Sequence, residues 1–274
     1  MRPMCTRPLI AIAGAVALGG FLFSSPILAK SNTHASLNFD MTNEVDLELV
    51  LAVDISQSMD PEEQRVQREG YIAALTSEEV LDAIKYGPIG RIAVAYMEWG
   101  GKDEHFVVAD WTVISDVESA GEFADKIAEA PLRRVQRTSI SSALTQAVNL
   151  VTDNQYNGMR RVIDISGDGP NNQGNAVTEA RDAAIAQGVT VNGLPLMLKE
   201  ESISWQSMLH LDHYYEDCVI GGPGAFSIPV RSKEGFSDAI RMKLVLEIAG
   251  LVDDQPKLIR AKSRRDMVMC SLFD

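Results

Sequence analysis

Basic residues are scarce in this chain. Lys and Arg number 25 against 38 Asp and Glu over 274 residues, a formal charge of −13 and a pI near 4.8. A general nucleic-acid binder needs phosphate-neutralising cations, so that class is excluded. The acidity suits cations, basic partners or solubility alone. There are only three cysteines and four histidines. The chain has neither a Gly-x-Ser-x-Gly elbow nor a glycine-rich loop closed by Lys, so the usual signatures of a serine hydrolase and a nucleotide site are missing. No internal repeat and no interdomain linker divides it, and one domain is expected. With 46% hydrophobic and 23% charged residues, it reads as ordinary globular material, long enough to bury a real core.

What is present begins with an export signal. Arg2 and Arg7 precede an apolar run from Leu9 to Phe23, and Ala29 marks a cleavage point, so residues 1–29 read as a signal peptide. The run is too short and too glycine-rich for a membrane span. No stable span is expected in the mature form, which would be periplasmic or secreted. Removal of residues 1–29 takes two Arg and no acid, deepening the charge to −15. Cys5 leaves with the signal. Cys218 and Cys270 remain, an even pair suited to a disulfide in an oxidising compartment. Such a bridge would contribute roughly 4 kcal/mol in the chain-entropy model; two unpaired buried thiols are the alternative.

Residues 30–44 read as a flexible lead-in, 45–250 as the domain, and 251–274 as a C-terminal tail tied back if the disulfide forms. Leu47 to Val53 is a short apolar run of the kind buried on both faces of a sheet. Asp60-Pro61-Glu62-Glu63 supplies an N-cap, a proline at the first helical position and acids in the first turn, predicting a helix towards Leu75. Strands are predicted at Arg91–Met97 and Phe106–Val113 around a hairpin-like loop, Trp99 to Glu104. Further strands are expected at Arg161–Ile165, Val189–Leu198 and Phe226–Val230. Helices are expected over 116–130, 139–153, 175–187, near 203–215 and over 235–249, with Pro131 separating the first two and Gly188 ending the third. The mainly β-α alternation predicts an α/β fold: a Rossmann-like, doubly wound, mostly parallel sheet with one antiparallel edge strand and helices on both faces. Ligand sites in such sheets lie at the carboxyl ends of strands.

Three features converge on that edge. Asp54-Ile55-Ser56-Gln57-Ser58 follows the first strand, Arg137-Thr138-Ser139 opens the helix at 139–153, and Ser166-Gly167-Asp168-Gly169 leaves the strand at 161–165. Two carboxylates and three hydroxyls are hard oxygen donors, suited to Mg²⁺, Mn²⁺ or Ca²⁺. Neutral hydroxyls leave such an ion electron-poor, with room for a carboxylate from a partner.

Asp54-x-Ser56-x-Ser58, then Thr138, then Asp168 resembles the metal-ion-dependent adhesion site of von Willebrand factor A domains, the integrin-inserted type included. The likeness covers roughly residues 45–250. More narrowly, the chain is similar to an uncharacterised family of exported bacterial proteins carrying this domain. The resemblance implies that Ser56, Ser58 and Thr138 contact the ion while Asp54 and Asp168 act through water. It also implies a protein partner offering an Asp or Glu carboxylate, and binding in place of catalysis. Gly167 departs from the pattern, since many members carry Thr before the third-loop acid. The alternative for the five residues is that they cap helices and turns around an inactive metal site.

A Mg²⁺-dependent phosphatase of haloacid-dehalogenase type, with Asp54 as nucleophile, is the enzyme alternative. That chemistry wants a second acid two residues on, where this chain has Ser56. His210 and His213 stand at helical spacing near Cys218, but no fourth zinc ligand is evident. Gly221 to Gly224 precedes a strand, as a plain loop does. Arg133, Arg134 and Arg137 lie just ahead of Thr138 and would steer an acidic partner. Trp99 is the expected aromatic anchor on the same edge.

Overall fold

In a computed structural model, the described residues are 43–198, 210–250 and 267–273. The signal-peptide reading of 1–29, nearly all of the 30–44 lead-in and residues 251–266 of the tail lie outside them.

Five strands form one sheet: β1 (Glu44–Asp54), β2 (Ile92–Trp99), β3 (His105–Ile114), β4 (Asn157–Gly167) and β5 (Thr190–Pro195), in the order β3-β2-β1-β4-β5. β1 lies at the centre, parallel to β2 and β4, and β3 alone runs antiparallel, at the edge. Central placement explains the mostly apolar run of β1, interrupted only by the buried Glu48 between Leu47 and Val53, since both faces of the strand are covered. Leu47, Leu49, Leu51 and Val53 point into one core, under α1 (Pro61–Leu75), α2 (Glu78–Lys85), α3 (Val117–Glu129) and α7 (Phe236–Ala249). Val50 and Ala52 point into the other, under α4 (Ile140–Thr152) and α5 (Val177–Ala186). Each fully buried leucine there is worth about 1.5–3 kcal/mol of transfer free energy.

The α1 start follows its sequence signals. The Asp60 carboxylate accepts from the Glu62 and Glu63 N–H groups at 2.8 Å, and the Glu63 carboxylate accepts from the Asp60 N–H at 2.9 Å, a reciprocal capping box. The short helix α2, capped by Ser77, is an addition to the sequence reading.

Two elements differ from expectation. Phe226–Val230 is no strand but two isolated bridges beside β5, Ser227 to Gly193 and Val230 to Leu196. The Ile228 and Val230 N–H groups donate to the Gly193 and Pro195 carbonyls, but Pro195 on β5 has no N–H to return to Ile228, so the ladder is interrupted between the two bridges. Of the helix expected near 203–215, residues up to 209 lie outside the described set. The remainder is a single helical turn, α6 (Leu211–Tyr214), that widens into a π-turn over Tyr215–Val219. Cys218 and Cys270 are joined in a disulfide, with Cα atoms 5.6 Å apart. No described helix is long and apolar enough to cross a membrane.

Candidate functional site

Strand order reverses direction at the centre of the sheet, with β2 on one side of β1 and β4 on the other. Loops leaving β1 and β4 therefore diverge over the same crevice. Asp54 ends β1, Asp168 follows β4, and Thr138 precedes α4 in the loop between them.

The structure brings the predicted oxygen donors together. The Ser56 and Ser58 hydroxyls are 2.8 Å apart, and the Ser58 hydroxyl donates to Asp168 Oδ1 at 2.6 Å. The Ser56 N–H donates to Asp54 Oδ1 at 2.7 Å. Ser56, Ser58 and Thr138 line one cavity of about 730 Å³ with Gly169. Thr138 is held by a reciprocal pair: its N–H donates to Asn172 Oδ1 at 2.9 Å, and its carbonyl accepts from the Asn172 N–H at 2.8 Å.

Electrostatically, this edge is uncomfortable without a cation. Asp54 is fully buried, and its Oδ2 has no hydrogen-bond partner among the described residues. Burial first, then the like charge of Asp168, push its carboxyl up to about 8, against the pull of the Ser56 N–H. An unpartnered buried carboxylate oxygen facing a second acid is a costly arrangement in an otherwise close-packed protein. The donor set (two carboxylates and three hydroxyls) fits a hard divalent ion.

Residues that the sequence reading did not single out fix these loops. From α1, Gln67 Nε2 donates to the Asp54 carbonyl at 3.1 Å, and Gln64 Nε2 to the Ile55 carbonyl at 3.2 Å. Arg68, also buried, reaches the carbonyls of Ala130 and Pro131 and pairs with buried Glu98. Burial raises the Glu98 pKa, and the Arg68 and Arg133 guanidinium groups oppose that rise. Gly100 lets the hairpin loop press against the 131–139 loop, since a Cβ there would lie 2.0 Å from Val135 Cγ2. The Ser139 N–H donates to the Gly100 carbonyl at 2.7 Å. Arg137 has a left-handed φ of 72° immediately before Thr138, a conformation that costs a non-glycine residue on the order of 1 kcal/mol.

Gly167 also has a packing reason. A Cβ there would sit 3.0 Å from both Asp54 Oδ2 and Tyr215 Oη. Tyr215, fully buried in the π-turn, fills the space behind the site. Burial raises its pKa, and the charge of Asp54 adds to the effect.

The expected partner-facing residues divide. Arg134 and Arg137 are exposed at the rim; Arg134 donates to the Gln57 carbonyl at 2.7 Å, and Arg137 lines the cavity. Arg133 is half-buried, 3.8 Å from Glu98 Oε2 and stacked 4.9 Å over the Phe106 ring. Trp99 is not an anchor. It is the last residue of β2, fully buried in the core against α4, and the loop after it becomes exposed only at Lys102. His210 and His213 stack at 4.8 Å beside Asp212. The Asp212 carboxylate is already engaged by Arg231 at 2.6 Å and the His213 N–H at 2.9 Å.

The sequence profile of a family described as "Protein of unknown function (DUF1194)" matches residues 44–252. No curated protein matches the chain. Among solved structures, the chain is similar to a von Willebrand factor type A protein from Catenulispora acidiphila. That pair is 13% identical with a TM-score of 0.52, over 75% of this chain and 43% of that one. It is similar to the pilus adhesin SpaC from Lactobacillus rhamnosus GG in its open conformation: 13% identity, TM-score 0.56, 74% of this chain and 30% of that one. It is also similar to proximal thread matrix protein 1 from the mussel byssus, whose MIDAS motif is zinc-occupied: 13% identity, TM-score 0.53, 74% of this chain and 46% of that one. The chain spans less than half the length of each of these. Likeness at such identity shows the fold, which is that of a von Willebrand factor A domain.

Proposed function

The chain belongs to the DUF1194 family, and on that footing we propose that it is an exported recognition domain that binds its partner through a divalent cation. Ser56, Ser58 and Thr138 would hold the ion directly, with Asp54 and Asp168 beside or just behind them. The ion would supply a Lewis-acidic position for an Asp or Glu carboxylate of a partner protein. Mg²⁺ suits this all-oxygen set best, and Mn²⁺ and Ca²⁺ use the same donors. Arg134 and Arg137 at the rim would steer an acidic partner towards it.

One observation carries the reading: the buried Asp54 carboxylate, with an unpartnered oxygen, faces Asp168 across two hydrogen-bonded serine hydroxyls. A dication there offsets both the desolvation of Asp54 and its repulsion by Asp168. The mussel protein's metal-occupied motif supports the same use of this sheet edge. Export is supported by the disulfide, which belongs to an oxidising compartment, and by the likeness to a pilus adhesin.

The test is thermal or urea unfolding of the native chain and of Ser56→Ala/Ser58→Ala, with EDTA and with Mg²⁺. An ion at one hundred times its Kd stabilises the native chain by about 2.7 kcal/mol. The double variant should fold and lose that gain. An equal Mg²⁺ response in both proteins would refute the site.

A further inference from the structure

The disulfide places the C-terminal segment against the candidate site. Cys270 is bonded to Cys218 in the π-turn, and the Val268 N–H donates to Asp217 Oδ2 at 3.0 Å in the same turn. From this clasp the chain runs through a 3₁₀ turn over Cys270–Leu272 to Phe273. Leu272 and Phe273 line the same cavity as Ser56, Ser58 and Thr138. Phe273 packs edge-on against Tyr214, ring centroids 5.4 Å apart. The Tyr214 hydroxyl accepts from the Asn171 N–H at 3.1 Å, and Asn171 Oδ1 accepts from the Ser141 N–H at 3.1 Å. The segment thus leans on a stack that reaches the loop after Asp168 and the first turn of α4.

Phe273 is half-buried in that stack, whereas Leu272 is 67% exposed at the cavity wall. Apart from Gly169 and Pro170, the rest of the lining is polar or charged, with Gln57, Gln136, Asn172 and the exposed Arg137. A leucine held open to solvent beside oxygen donors, by a covalent clasp about a nanometre-scale cavity, is an apolar contact awaiting an occupant.

We propose that the clasped segment Val268–Phe273 is part of the partner-binding surface and sets its specificity: the occupant is a protein segment whose acidic residue is flanked by an apolar side chain. This rests on the proposed cation-dependent function. The acid meets the cation and the cationic rim formed by Arg134 and Arg137, and the neighbouring apolar side chain packs on Leu272. Charge complementarity selects the first residue and the wall selects the second. The clasp matters because a free C-terminal tail would lose conformational entropy on binding, whereas a tethered one has lost most of it already.

The probe is an array of nine-residue peptides with a central Asp, its two neighbours varied through Leu, Phe, Gly, Ser and Lys, with Asn at the centre as control. It is incubated with the full chain in Mg²⁺. Asp-centred peptides with Leu or Phe beside the acid should be retained about fivefold over those with Gly, the worth of half-burying a leucine side chain. Leu272→Ser, a surface change, should erase that preference while Asp is still chosen over Asn. Cys218→Ser/Cys270→Ser should do the same by releasing the wall; circular dichroism confirms that it folds. Retention that depends on Asp, with the same flanking preference in native chain and Leu272→Ser, overturns this inference alone. Equal retention of Asp and Asn peptides overturns the cation-dependent reading and the inference with it.

Discussion

Replacement of Glu247 by Gln should remove a pH dependence that the fold builds into α7. Glu247, Lys243 and Asp164 form a buried cluster between α7 and β4, each no more than 2% exposed. Lys243 Nζ lies 2.6 Å from Asp164 Oδ1 and also pairs with Glu247 Oε1, while Asn192 Nδ2 donates to that same oxygen at 3.0 Å. Two carboxylates thus share one ammonium. Burial, then repulsion by Asp164, push the Glu247 carboxyl from 4.5 to about 7, against the attraction of Lys243 and the Asn192 hydrogen bond. The folded state therefore holds this proton more tightly than the unfolded chain does. Its stabilising contribution is complete below about pH 4.5 and is lost as pH rises through about 7. The gap between those two values is worth about 3 kcal/mol.

Gln keeps the shape and an acceptor for Lys243, but does not titrate, and it leaves Asp164 and Lys243 as a one-to-one pair. Urea unfolding of both proteins in EDTA, from about pH 5 to about pH 8, yields stability at each pH provided the m-value is constant. The difference between variant and native chain cancels the titrating groups outside this cluster, Asp54 included, and reads the cluster of Glu247, Asp164 and Lys243 as a unit. It should move in favour of Glu247→Gln by about 2.5 kcal/mol across that range, mostly between pH 5 and 7. Parallel profiles would refute the reasoning, because the titrating acid would then lie elsewhere.

Arg68→Met should cost about 3–5 kcal/mol by urea unfolding, since it strands the buried Glu98 carboxylate and frees the Ala130 and Pro131 carbonyls. Adding Glu98→Leu should recover part of that loss in a double-mutant cycle, and additivity of the two costs would show that the pair is not coupled. Gly167→Ala should weaken Mg²⁺ binding by about tenfold, one 1.4 kcal/mol step, because the new methyl meets Asp54 Oδ2 and the Tyr215 hydroxyl at 3.0 Å. Isothermal titration with Mg²⁺ reads this directly, and native affinity in that variant would show that Asp54 does not need its present position.

Much of the molecule was legible because local signals agreed with the global pattern. The Asp60 cap, the apolar run of β1 and the turn at Gly100-Gly101 each have a local cause that a sequence displays. Helix α2 was missed: Ser77 and the acids behind it cap it, but eight residues with only Val80 and Ile84 buried make a faint period. The Phe226–Val230 segment differs because its apolar content suits a strand, while one missing N–H on the facing strand, at Pro195, interrupts the ladder. Trp99 was misplaced by a single residue. A tryptophan beside two glycines looks like a loop residue, yet the pleat turns it into the core and the loop begins at Gly100.

The donor residues of the site could be read from the chain because each follows a strand or precedes a helix at one edge. What holds them could not, because it depends on contacts between residues far apart in sequence. Arg68 reaches Ala130, Tyr214 meets both Asn171 and Phe273, and Cys218 fixes Cys270. The same distance explains why a net charge of −13 says little about this surface. A few of the acids are spent where they cannot be seen from outside: Glu48 accepts from the Gly158 N–H, Asp46 from those of Ile89 and Gly90, and Glu98 lies between two arginines. At the candidate site the exposed charges are instead the cations Arg134 and Arg137. An acidic protein can therefore present a locally basic rim around one buried and one half-buried carboxylate. That arrangement suits a cation below and an acidic partner above, and total charge could not reveal it.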